Sequence, residues 1–176
     1  MRRFKLLSAA MSVALLGGCG FAHSMKNGAA GAVDSLFHKP VARLELNFHG
    51  RVAANTHATY MSALTVPTRV QVYQLRNGQA LNRATYEALL RDAKRALGDD
   101  ILDERTVVIQ PGQGTALNVP IAKETQVVAI VAWVRQPDAR AQSWRITLTR
   151  EDLQPDSGRM IELADNRLTL LPLAGG

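Results

Sequence analysis

Gln126 to Val134 reads QVVAIVAWV, and this nearly unbroken apolar run constrains the fold more than any other segment. A strand of that composition must be covered on both faces, which places it at the centre of a sheet. The segments around it alternate with period two. Ala42, Leu44, Leu46 and Phe48 are interleaved with Arg43, Glu45 and Asn47, the pattern of a half-buried strand. In Arg69 to Leu75, Val70 and Val72 alternate with Gln71 and Tyr73, and Arg76-Asn77-Gly78 then turns the chain. Thr106 to Gln110 and Thr115 to Ile121 flank Pro111-Gly112-Gln113-Gly114, which reads as a hairpin because glycine supplies the positive φ a tight loop needs. Ser143 to Thr149 puts Trp144, Ile146 and Leu148 on one face. Arg159 to Leu163 and Arg167 to Leu173 close the chain through Asp165-Asn166. Short strands at this spacing predict a mainly β fold, a two-sheet β-sandwich over residues 41–176.

One segment breaks the period. Tyr86, Leu89, Leu90, Ala93 and Leu97 share one face of a helix within Ala84 to Leu97. Asn82 is its expected N-cap and Gly98 its C′ residue, giving a helical insertion over 82–98. Lys94 and Arg95 fall near its C-terminal turn, where cations are favoured. Such a helix serves to close one end of the core.

The amino terminus carries an address. Met1-Arg2-Arg3-Phe4-Lys5 is followed by an apolar run from Leu6 to Leu16 and then by Gly17-Gly18-Cys19. A basic head, a short apolar stretch and small residues before a cut describe a secretory signal peptide over residues 1–18. The stretch is shorter than the about 20 residues a membrane-spanning helix requires. Leu16-Gly17-Gly18-Cys19 resembles the lipobox of bacterial lipoproteins. That resemblance implies cleavage before Cys19 and acylation of its sulfur and its amino group. It also implies sorting to the outer membrane, because lipoproteins held at the inner membrane commonly carry Asp where this chain has Gly20. Two or three acyl chains hold a protein stably, whereas one is marginal. Residues 19–40 then form the anchor and a tether, and Gly20 to Lys39 as a flexible coil would span roughly 25 Å.

Cleavage changes the charge argument. The full chain carries +6, and loss of Arg2, Arg3 and Lys5 leaves +3. No Lys/Arg cluster marks a nucleic-acid face. Cys19 is the single cysteine, so once it is acylated no disulfide is available.

A search for chemistry yields no enzyme. His49 and His57 flank a long loop with no carboxylate near them in sequence to complete a metal site, and His23 and His38 lie in the tether. No G-x-S-x-G, Ser-His-Asp order or cysteine nucleophile is present. Asp99, Asp100, Asp103 and Glu104 follow the helix end and read as a solvated turn. Pro111-Gly112-Gln113-Gly114 has no following Lys and opens no helix, so it is not a phosphate loop. No catalytic residue, cofactor or small-molecule substrate is expected.

His49 to Thr68 is far longer than the two to five residues or so of an ordinary hairpin connection. It carries Tyr60, Met61 and Leu64 among small polar residues, and exposed aromatic and Met side chains suit a partner surface.

Taken together, the lipobox, a first strand, a long loop with Ala53-Ala54-Asn55 and then Arg69-Val70-Gln71-Val72-Tyr73-Gln74-Leu75 resemble the TssJ (SciN) lipoproteins of type VI secretion systems. The likeness continues through Leu97-Gly98-Asp99-Asp100-Ile101-Leu102, Ala132-Trp133-Val134-Arg135 and Trp144-Arg145. Pro67 alone stands where the family usually has a Pro-rich approach to the second strand. The resemblance implies a transthyretin-like sandwich at the outer membrane. It also implies a structural role, binding the periplasmic part of the inner-membrane protein TssM. The family's binding element maps onto His49 to Thr68, with Asn55 at the matching position; Tyr60, Met61 and Leu64 are added on their chemistry. A carrier lipoprotein holding a ligand between its sheets is the competing reading, and a cavity there would favour it.

Overall fold

The computed structural model describes residues 41–52, 66–155 and 157–173. Cys19, Asn55, His57, Tyr60, Met61 and Leu64 lie outside the described residues. The described strands are β1 (Arg43–Gly50), β2 (Thr68–Leu75), β3 (Ile101–Ile109), β4 (Gly114–Pro120), β5 (Val127–Ala132), β6 (Arg145–Thr149), β7 (Arg159–Ala164) and β8 (Arg167–Leu170). They form two four-stranded sheets, ordered β4-β1-β7-β8 and β3-β2-β5-β6. Pairing is antiparallel except between β1 and β7. The chain is mainly β with a short helical segment, a two-sheet sandwich as the strand spacing predicts.

Leu44, Leu46 and Phe48 of β1, with Ile161 and Leu163 of β7, are buried toward the other sheet. They meet Val70, Val72, Ile109, Val128, Ile130 and Leu148, all nearly fully buried. Each such side chain contributes about 1.5–3 kcal/mol on burial. β5 is central and covered on both faces, as its composition requires.

The Pro111-Gly112 connection departs from expectation. β3 and β4 do not pair with each other: β3 pairs with β2, and β4 pairs with β1. The turn has the chemistry of a hairpin, with Gln113 N donating to Gln110 O at 3.1 Å and Gly112 at φ 72°. Pro at the second position and a positive-φ Gly at the third are what a type II turn needs. Here it carries the chain from the edge of one sheet to the edge of the other. Turn residues specify local curvature, not which neighbour a strand takes.

Two helices replace the single one expected. α1 is Gln79–Arg83, α2 is Tyr86–Leu97, and a 3-10 turn follows over Gly98–Asp100. Thr85, not Asn82, caps α2, its hydroxyl accepting from Ala88 N at 3.2 Å. Asp92 leaves helical geometry (φ −160°, ψ 89°), and its carboxylate accepts from Arg95 N at 3.0 Å, restarting the helix after a kink. Burial therefore runs through Leu89 and Leu97, flanked by half-buried Tyr86, Ala93 and Ala96, and Leu90 remains 49% exposed. Gly98 ends the helix with φ 59° as expected.

The helices cover the outer face of the β3-β2-β5-β6 sheet. That cover explains why Tyr73 and Leu75 are buried although they face away from the other sheet. Burial also raises the Tyr73 phenol well above its ordinary pKa. Gln74 points inward, and its amide is fully hydrogen-bonded. Its NH2 donates to Pro120 O (2.9 Å) and Asp103 Oδ2 (3.2 Å). Its oxygen accepts from Ala122 N (2.8 Å) and Thr125 Oγ1 (3.0 Å). With every donor and acceptor used, it ties the two sheets at no desolvation cost. The acidic group is a solvated turn only in part: Asp99 is exposed in the 3-10 turn, but the others are engaged. Asp103 and Glu104 are β3 residues bonded to Gln74 and Gln71, and Asp100 accepts from Asn77.

Candidate partner-binding end of the sandwich

The long loop starts and finishes at the same end of the sandwich but on different sheets. β1 delivers its first root at Gly50, and β2 takes up the second at Thr68. His49 is thus an exposed strand residue, not a loop residue. Gly50 N donates to Gln113 O at 3.0 Å, and Gly50 O accepts from Gly112 N at 2.7 Å, so the type II turn is clasped onto the end of β1. A Cβ on Gly50 would stand 2.7 Å from both Gln110 O and Ile109 Cγ2. Only glycine allows that approach. Arg51 N then donates to Leu163 O at 2.9 Å, and Arg51 reaches Glu162 at 3.8 Å. Val52, the last described residue before the loop, is 73% exposed. Arg51 and Val52, with Ala164 and Asp165, bound a shallow hollow beside this root.

Three further connections meet at this end. Asp165 and Asn166 join β7 to β8 with φ 49° and 61°, the two positive values of a type I′ hairpin turn. The β3–β4 turn is the second. The third, between β5 and β6, carries an aromatic cluster absent from the sequence-based expectations as a unit. Tyr86 stands edge-on to Trp133 (5.6 Å) and to Trp144 (5.2 Å), and its hydroxyl donates to Val134 O at 2.7 Å. Burial raises the Tyr86 phenol above its ordinary pKa. Arg69 lies over Trp133 at 5.9 Å and Arg145 over Trp144 at 5.2 Å. Arg145 also donates to Leu81 O at 2.7 Å, which fastens α1 to β6. The signal was present in Trp133-Val134-Arg135 and Trp144-Arg145, but Tyr86 joins them only through the fold. Asp138, in the same connection, accepts from the N–H groups of Ala141 and Arg140, which hold its carboxyl below the usual range.

Among the described residues, no group of three or more His, Cys, Asp or Glu side chains is placed to hold a metal ion. No described helix is long and apolar enough to cross a membrane.

The described fold is thus a two-sheet sandwich with helices on one sheet and a long connection from one sheet to the other. Residues 42–166 match the model of the type VI secretion lipoproteins, T6SS-SciN, described as VasD, EvfM and TssJ, and the chain belongs to that family. Solved structures agree. A chain in the structure described as T6SS protein TssM C-terminal domain (869-1107) from EAEC is 32% identical, with TM-score 0.68. The match covers 76% of this chain and 100% of that one. A chain of a structure described as Type VI membrane complex is 32% identical over 75% of this chain and 99% of that one, with TM-score 0.70. Serratia marcescens Lip, a membrane-bound component of the type VI secretion system, shares the fold at 22% identity and TM-score 0.65, covering 76% and 100%. No match was found among curated proteins.

Proposed function

We propose that this protein is an outer-membrane structural lipoprotein that binds the periplasmic domain of TssM through the loop between β1 and β2. Family membership supports a non-enzymatic role in the type VI membrane complex, and the two 32% identical structures support TssM as the partner. The geometric observation that carries the reading is the placement of the loop. Its roots are clasped by backbone hydrogen bonds at one end of the sandwich, while the chain enters β1 at the other, roughly 25 Å away along an eight-residue strand. The segment from Cys19 thus joins the sandwich at the end of β1 opposite the loop roots. The interior between the sheets is occupied by large side chains, among them Leu44, Leu46, Phe48, Ile109 and Ile130, which favours the adaptor over a carrier with a ligand in its core.

Two experiments test the two halves of this reading. Cys19→Ser should leave the precursor unprocessed or released from the membrane fraction. Retention of that variant in the outer membrane at wild-type levels, in cells lacking TssM, would refute the anchor. For the partner, Tyr60→Ala or Met61→Ala in the full-length protein, solubilised in non-ionic detergent, should weaken binding to the TssM periplasmic domain at least about tenfold. Interface energy concentrates in a few such residues, and each 1.4 kcal/mol or so is one decade. Wild-type affinity in both variants would remove Tyr60 and Met61 from the interface, leaving Asn55 and Leu64 to be tested alike.

A further inference from the structure

The described residues contain 16 Lys and Arg against 13 Asp and Glu, a net of +3. That excess is not spread over the molecule. Arg51, Arg69, Arg135, Arg140, Arg145 and Arg167 all lie at the loop end, at β1's exit, the start of β2, the β5–β6 connection, the start of β6 and the start of β8. Their only carboxylate companions there are Asp138, Glu162 and Asp165, so six against three leaves +3 at this end and zero elsewhere. Arg83 and Glu87, on the facing ends of α1 and α2, cancel. Val52 to Thr68 contains no Lys, Arg, Asp or Glu, so the loop leaves this balance unchanged.

We infer that a cationic collar surrounds the roots of the loop at this end of the sandwich, and that the surface this end meets on its partner is acidic. This rests on the partner-binding reading above and adds the chemistry of the partner. Five of the six arginines are exposed, and Arg145 is half-buried. Two of the three acids are already engaged within the fold, Asp138 by backbone N–H groups and Glu162 by Arg51. Arg69 is the best-prepared member. It emerges directly after the loop's second root, is exposed, and lies 5.9 Å from the ring centre of half-buried Trp133, and its planar fork is of the kind that takes a carboxylate with two hydrogen bonds. An aromatic and an arginine side by side are the residues in which binding energy concentrates. The collar gathers an acidic partner by long-range attraction, and the uncharged loop then buries against it.

The test is the association rate of the full-length protein in non-ionic detergent with the TssM periplasmic domain, measured across salt. The rate should fall at least about tenfold between roughly 50 and 500 mM NaCl, where screening lengths shorten from above to below about 10 Å. Arg140→Glu combined with Arg167→Glu should slow association about tenfold or more at low salt and flatten the salt dependence. Both side chains are exposed, Arg140 in the β5–β6 connection and Arg167 on the first residue of β8, so the melting temperature should hold. Lys123→Glu, at the opposite end, should change the rate less than about twofold. Arg69→Lys should keep the salt dependence but hasten dissociation, because charge is retained and the fork is lost. Binding that ignores both salt and the double reversal would overturn the collar while leaving the function intact. Absence of wild-type binding at every salt concentration would overturn the function and the collar together.

Discussion

Trp144→Ala should cost about 3–5 kcal/mol and lower the melting temperature by on the order of 10 °C. Trp144 is 1% exposed, it meets Tyr86 edge-on, and Arg145 lies across its ring. Truncation therefore opens a cavity where α2, β5 and β6 converge, and it removes one wall of the pocket that holds Tyr86. Its indole N–H finds no hydrogen-bond partner among the described residues, so Trp144→Phe should give up mainly volume and cost about half as much or less. Thermal unfolding followed by circular dichroism reads both. A Trp144→Ala protein that melts with the wild type would show that this side chain is not part of the core.

Replacing residues 51–67 with about six Gly and Ser residues should leave the sandwich folded and reduce TssM binding by at least about a hundredfold. The two roots sit on sheets roughly 10 Å apart, a span that so short a flexible link can cover. Each root is fixed without the loop: Gly50 by Gly112 and Gln113, and Thr68 by its register with Ile109. Apolar loop groups that bury against a partner contribute little to the free domain's core, which is why folding and binding should separate. If the shortened protein fails to fold, the loop belongs to the core. If it folds and binds TssM normally, the contact surface lies elsewhere, with α2 the first place to look.

The strands were legible because their pattern is local. Leu44, Leu46 and Phe48 declare an inward face by spacing alone, and Val127 to Ala132 declare two covered faces by having no polar residue. Pairing was less legible. Gln110 to Gln113 has the same turn chemistry whether the chain returns beside itself or crosses to another sheet, and only the long-range register of β1 with β4 decides between them. Tyr73 misled for a related reason. Its outward position is right, but α1 and α2 supply a second layer that no residue of β2 announces. Of the candidate site, the long loop was visible as a length anomaly. The arginine collar was not, because its members are scattered between Arg51 and Arg167 and are gathered only by the topology.

β1 has a mechanical consequence. If the anchor holds the amino-terminal end and the partner grips the loop, tension enters at Val41 and leaves just past Gly50, so it runs lengthwise along this one strand. β1 is an interior strand, laddered to β4 on one side and to β7 on the other. A pull on both ends of this one strand is carried by its own covalent backbone, and the ladders to β4 and β7 hold it in place without having to transmit the load. Val41 and the first loop root are thus the two grips of a tensile link that need not cross a single ladder.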